Sequence, residues 1–156
     1  LGIYSVSLQA KILFILYTPQ HITHPVILFD GVCNLCSSSV QFIIRHDKNR
    51  VFRFASLQSP FGQAVLQYFN LPLTELNSFI LLEDDKIYTR SGGALKAAKK
   101  LDGLYSWLYA FIIVPPFIRN GVYNIIARNR YKWMGKKDAC WLPTPALRDL
   151  FWDDGP

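Results

Sequence analysis

Three cysteines in 156 residues, an odd number, are too few for the disulfide framework of a small secreted domain. Long apolar runs are missing as well. The run Ile12, Leu13, Phe14, Ile15, Leu16, Tyr17 is short, and the stretch 104–118 is broken by Pro115 and Pro116. Both fall below the ~20 residues that span a bilayer. The opening residues have neither the basic start nor the small-residue cleavage site of a secretory signal. These absences lead us to expect a cytoplasmic protein with no transmembrane segment. Nucleotide and acyl-transfer signatures are absent too. Ser91, Gly92 and Gly93 lack the surrounding pattern of a phosphate loop, and no Gly-x-Ser-x-Gly elbow occurs. No internal repeat is visible.

What is present is a packed, apolar composition: 51% hydrophobic and 15% aromatic residues, enough for a core without covalent staples. We expect an N-terminal extension over residues 1–24 and a single domain over 25–156. The charge of +6 is concentrated. Arg119, Arg128, Arg130, Lys132, Lys136 and Lys137 stand in a segment without an acid, while basic and acidic residues balance elsewhere. The segment 119–137 could face an anionic partner such as nucleic acid, acidic lipid or an acidic protein surface. Its plainer reading is a solvated helix face.

The apolar pattern gives the order of elements. Val26, Ile27, Leu28 and Phe29 form a continuous run suited to a strand buried on both faces, stopped by Asp30 and Gly31. Over 33–46, Cys36, Val40, Ile43 and Ile44 recur at helical spacing. A strand is expected over 51–57 and a helix over 60–69 with Pro60 at its start. Strands over 79–82 and 86–89 flank the polar turn Glu83, Asp84, Asp85. Ser91 reads as the N-cap of a helix reaching Leu101, with Leu95, Ala98 and Leu101 inward. Helices over 104–114 and 117–133 follow, the second with Ile118, Val122, Ile125 and Ile126 on one stripe. The tail from 136 reads as irregular, with a turn of helix near Leu147. The order β-α-β-α-β-β-α defines an α/β class with a thioredoxin-like core, carrying additional C-terminal helices.

Cys33 and Cys36 lie directly after the first strand and open the first helix, a spacing with a chemical reason. Unpaired N–H groups and the positive helix end stabilise a thiolate there, pulling such cysteines from ~8.5 into the range of roughly 3.5–7.5. One turn later Cys36 returns to the same side and can close a disulfide. Because Cys36 shares the apolar stripe with Val40 and Ile43, it is expected to be the buried, resolving thiol. Cys33 is expected at the exposed tip as nucleophile. Asp30, three residues before Cys33, has two readings of equal weight. It is a carboxylate that handles protons for the pair, or a turn residue accepting loop N–H groups.

The run Asp30, Gly31, Val32, Cys33, Asn34, Leu35, Cys36 resembles the DCC family of thiol–disulfide oxidoreductases. The segments 53–59, 88–91 and 127–133 resemble its other recurring stretches, so the likeness covers roughly residues 26–153. It implies a thioredoxin-like fold with Asp30, Cys33 and Cys36 as signature positions. Thiol exchange through the pair would act on protein or small-molecule thiols and disulfides and needs no bound organic cofactor. One departure stands out. Thioredoxins carry a proline just before the strand facing the active site, where this chain has Leu76, Asn77 and Ser78.

Two rival readings differ in class. One is a non-catalytic thioredoxin-like binding module recognising partners through the basic helical face. The other is metal binding, with Cys140 joining Cys33, Cys36 and a histidine. His21, His24 and His46 stand at no ligand spacing to the cysteines. Cys140 itself reads more simply as a small buried hydrophobe, or as a relay thiol.

Overall fold

The computed structural model describes residues 22–72, 79–136, 138 and 142–154, together with Leu8, Ile12 and Ile15. A four-stranded sheet is at its centre: β1 (Val26–Phe29), β2 (Arg53–Ser56), β3 (Ile80–Glu83) and β4 (Lys86–Thr89), in the order β2-β1-β3-β4. β1 runs parallel to β2, with Val26 opposite Arg53 and Phe29 opposite Ser56. It runs antiparallel to β3, which pairs antiparallel with β4. Helix α1 (Asn34–His46) makes the crossover between β1 and β2, and α2 (Pro60–Tyr68) leads from β2 toward β3. Helix α3 (Arg90–Lys99) follows β4. This is the thioredoxin-like arrangement, and the parallel pair demands the helical crossover that α1 supplies.

The two-residue period of β1 explains its unbroken apolar run. Val26 and Leu28 join Leu57, Phe61, Val65, Leu66, Ile80 and Leu82 in one core layer beneath α2. Ile27 and Phe29 face the other way, among Val40, Ile43, Phe54, Leu81 and Ala97 from α1, β2, β3 and α3, with Leu101 just past the end of α3. All four β1 side chains are buried. α2 starts as its sequence dictates: Ser59 Oγ accepts the Gly62 N–H at 3.1 Å, with Pro60 in the first turn.

Three expectations need correcting. Ser91 is not an N-cap. α3 begins a residue earlier behind Thr89 without a side-chain cap, and Ser91 Oγ instead bonds Asn120 Oδ1 at 2.6 Å, joining α3 to the C-terminal helix. The element after α3 is an eleven-residue 3₁₀ helix (Gly103–Ile113) where an α-helix was expected. At three residues per turn its side chains eclipse at i and i+3, aligning Leu104, Trp107, Ala110 and Ile113 in a single row. That row is exposed. Helix α4 (Pro116–Met134) has the expected length, but Ile118, Val122 and Ile125 point away from the core, and Ile126, also exposed, flanks the inward face. The opposite face carries Tyr123, Ala127 and Arg130 inward, so polar groups at the site below set the orientation of α4.

The tail after a second 3₁₀ turn (Pro145–Leu150) is tied to the sheet edge. Phe151 bridges Phe54, and the Trp152 N–H donates to Phe54 O at 2.8 Å. Asp153 accepts the Ser56 N–H at 2.7 Å through Oδ1, and its carbonyl accepts from Phe61 at 3.1 Å.

Candidate functional site

The site is assembled where β1 ends and α1 begins. Cys33 is the N-cap of α1, with extended backbone (φ −85°, ψ 122°), and its Sγ accepts the Cys36 N–H at 3.3 Å. A sulfur thus takes the place that a serine or aspartate oxygen fills in most helices. The sulfur thereby satisfies one of the N–H groups that the first turn of α1 leaves without an intrahelical partner.

The exposure of the two sulfurs is the reverse of that expected from the stripe. Cys33 is completely buried, and Cys36 is only partly so. The reason lies a hundred residues away. The chain leaving α4 pairs with the motif, Lys136 forming an antiparallel bridge to Cys33, and Asn34 Nδ2 donates to Met134 O at 2.8 Å. Gly135 makes this turn possible at φ +80°, where a Cβ would lie 3.2 Å from Asn34 Nδ2. Residues 134–136 therefore form a strap over Cys33.

Burial is the main cause that raises the Cys36 thiol well above its ordinary value. The hydrogen bond to Cys33 and the charge of Cys33 add to it, while Arg130 opposes them. Cys36 is thus the thiol that keeps its proton. It lines a cavity of about 580 Å³ with Leu35, Val40, Phe79, Ala97 and Leu108, and Asp30 and Arg130 lie on the same wall.

Asp30 is buried and fully engaged. Oδ1 accepts the Val32 N–H at 3.1 Å and Gln58 Nε2 at 2.8 Å. Oδ2 accepts Arg130 Nη2 at 2.7 Å and the Tyr131 hydroxyl. Arg130, also buried, reaches with Nη1 to 3.9 Å from Cys36 Sγ and so links the carboxylate to the thiol. Burial first, and then the bond to Asp30, push the Tyr131 phenol up to about 12. Tyr123 holds the start of β3 by accepting the Phe79 N–H at 2.6 Å.

The structure brings Asp30, Cys33 and Cys36 together. It adds Arg130, Tyr131 and Gln58, which the sequence reading did not place in the site. Arg130 had been counted in the basic segment, and the only signal for it was membership of 127–133, one of the recurring family stretches. Cys140, and the segment 73–78 where thioredoxins carry their proline, lie outside the described residues. Among the described residues, no group of three or more His, Cys, Asp or Glu side chains could hold a metal ion.

A thioredoxin-like sheet with a Cys-x-x-Cys at the N-terminus of its first helix defines the class of dithiol proteins to which this chain conforms. Comparison with known proteins narrows it. Residues 27–136 match the model of the DCC1-like thiol-disulfide oxidoreductase family, and the chain belongs to that family. It is 45% identical over 134 residues to "Uncharacterized protein YuxK" of Bacillus subtilis (strain 168), covering 86% of this chain and 98% of that one. It is 40% identical over 119 residues to "DCC family protein At1g52590, chloroplastic" of Arabidopsis thaliana, covering 76% and 69%. No solved structure matches it significantly. Among the described residues, no helix is long and apolar enough to cross a membrane.

Proposed function

We propose that this chain exchanges thiols and disulfides through Cys33 and Cys36, with Asp30 as the positioning residue for Arg130. The observation that carries this reading is the Cys33 sulfur in the N-cap position, accepting the Cys36 N–H at 3.3 Å. Cys33 thiolate attacks one sulfur of a substrate disulfide. The substrate S–S bond breaks, a Cys33–substrate disulfide forms, and the other substrate sulfur leaves and takes up a proton. Cys36 then loses its proton and attacks Cys33 Sγ. The second substrate thiol is released, and the Cys33–Cys36 disulfide closes. Two electrons pass from the pair to the substrate, and an external dithiol restores them.

The raised Cys36 thiol makes the second attack the step that gains most from alkali, and Arg130 at 3.9 Å favours its charged form. Asp30 accepts from four donors, which supports a role in holding Arg130 over one in taking a proton from the thiols. Access to Cys33 requires the strap 134–136 to lift. Thiols of this kind suit a reducing compartment such as the cytoplasm.

The test is trapping. In Cys36→Ser, attack survives and resolution does not, so incubation with glutathione disulfide should leave a stable adduct on Cys33, read by mass spectrometry. Cys33→Ser should form little adduct. The reading fails if Cys33→Ser is the variant that accumulates adducts, or if neither cysteine pairs with glutathione over the redox range of cellular thiols.

A further inference from the structure

From Gly103 to Lys137 the sequence contains no acidic residue, and the same stretch presents most of the large apolar side chains that the fold leaves uncovered. The eclipsed row of the first 3₁₀ helix shows Leu104 at 81%, Trp107 at 76% and Ile113 at 85% exposure. Past Pro115 and Pro116 the chain goes on to expose Phe117 at 77% and Ile118, Val122 and Ile125 of α4, and the two elements meet where Leu108 and Ile126 line one cavity. At 100° per residue, Ile118, Val122 and Ile125 share one arc of α4 with the exposed Arg128 and Lys132. Single exposed apolar residues are ordinary on protein surfaces, whereas this many on two consecutive elements mark an interaction site.

We propose that this surface docks onto an anionic lipid bilayer, seated at the boundary of headgroups and acyl chains. The occupant follows from charge and composition. A second copy of the chain would bring Arg128 and Lys132 against their equivalents, with no acid in the patch to compensate, so symmetric pairing is opposed. A nucleic acid would use the cations and leave the aliphatic side chains unsatisfied. An acidic bilayer satisfies both: apolar side chains enter the interface, tryptophan sits at headgroup level, and the basic residues meet lipid phosphates. The segment lies on the membrane and does not cross it. Leu108 and Ile126 belong to this exposed surface and also line the cavity beside Cys36, so docking turns that cavity toward the lipid.

The test is flotation of the full chain with vesicles of phosphatidylcholine alone and of phosphatidylcholine with phosphatidylglycerol. Binding to the phosphatidylglycerol vesicles should be tighter by about tenfold or more and should weaken with salt. Ile113→Gln/Ile125→Gln should lose about tenfold of that binding. Both positions are exposed, so circular dichroism and glutathione-adduct formation at the cysteines should be unchanged. Unaltered binding by the double variant overturns the proposal. So does binding that disappears on deletion of residues 1–21 alone. Failure to float with either vesicle, accompanied by a dimer in light scattering or by oligonucleotide binding sensitive to the same double substitution, assigns the patch to those partners instead.

Discussion

Asp30 places a carboxylate in the interior, where an unpaired charge would cost several kcal/mol, and Arg130 neutralises it. Removing one member is therefore far worse than removing both. Arg130→Met should destabilise the fold by about 3–5 kcal/mol in urea titrations, and adding Asp30→Asn should recover much of the loss. The thiols give a second prediction. Because the folded Cys36 has a raised pKa, its protonated form is bound more tightly in the folded state. Stability is then complete below the ordinary thiol value of 9.0 and falls as pH rises beyond it. The slope should be at most about 1.4 kcal/mol per pH unit, and Cys36→Ser should abolish it between pH 9 and 10. Tyr131 has a shift of the same sign, so further loss toward pH 12 should remain in that variant. The cysteine pair was legible in the sequence because three residues of spacing and a preceding strand define its geometry locally. Arg130 and Tyr131 were not, since each reaches Asp30 across about a hundred residues of chain. No periodicity encodes such a contact, and only the family resemblance of 127–133 marked the segment.

Elements show where patterning succeeds and where it misleads. The strands and α1 to α3 follow from apolar runs and helical spacing, because a sheet with helices on both faces buries what those patterns predict. The stripe on α4 was equally plain, yet it faces out. Periodicity identifies an apolar face but not what covers it, and here the inward face is held by Arg130 to Asp30 and Tyr123 to Phe79. The 3₁₀ helix was hidden for a related reason, since eleven residues without a charge fit either helical period. The burial of Cys33 has the same origin. A helix tip reads as exposed until a distant segment crosses it, as 134–136 does. The contacts that hold this strap include the Asn34–Met134 hydrogen bond of 2.8 Å. Asn34→Ala removes a bond of about 1 kcal/mol, so the open population should rise about fivefold. Alkylation of Cys33 by iodoacetamide should accelerate by the same factor, while Cys36 should change little. Equal acceleration at both sites would indicate general loosening of α1.

At the scale of the whole molecule, the C-terminal addition completes the core that precedes it. β2 is one of the two outer strands of the sheet, and an uncovered edge leaves backbone groups unpaired. The tail answers this with the Trp152 bond to Phe54 and both Asp153 bonds, while Leu150 fills the core layer that holds Phe54. Toward the other end of the chain, Leu8, Ile12 and Ile15 are exposed. The two termini should therefore respond differently to removal. Deleting residues 1–21 should shift the melting temperature by no more than about 2 °C, the scale of half a kilocalorie in a domain of this size. Deleting residues 151–156 removes the bonds that the tail makes to the Ser56 and Phe61 N–H groups and to the Phe54 carbonyl, and uncovers Phe29 and Phe54, which Phe151 now packs against. Three lost hydrogen bonds at about 1 kcal/mol each, with a buried aromatic contact of about 1 kcal/mol more, predict a fall on the order of 8–16 °C. Asp153→Ala removes only the side-chain bond to the Ser56 N–H and should produce a smaller fall of the same sign. A full loss of solubility on removing 1–21, with the C-terminal deletion tolerated, would mean that the N-terminal segment belongs to the core and that the edge of β2 needs no cover.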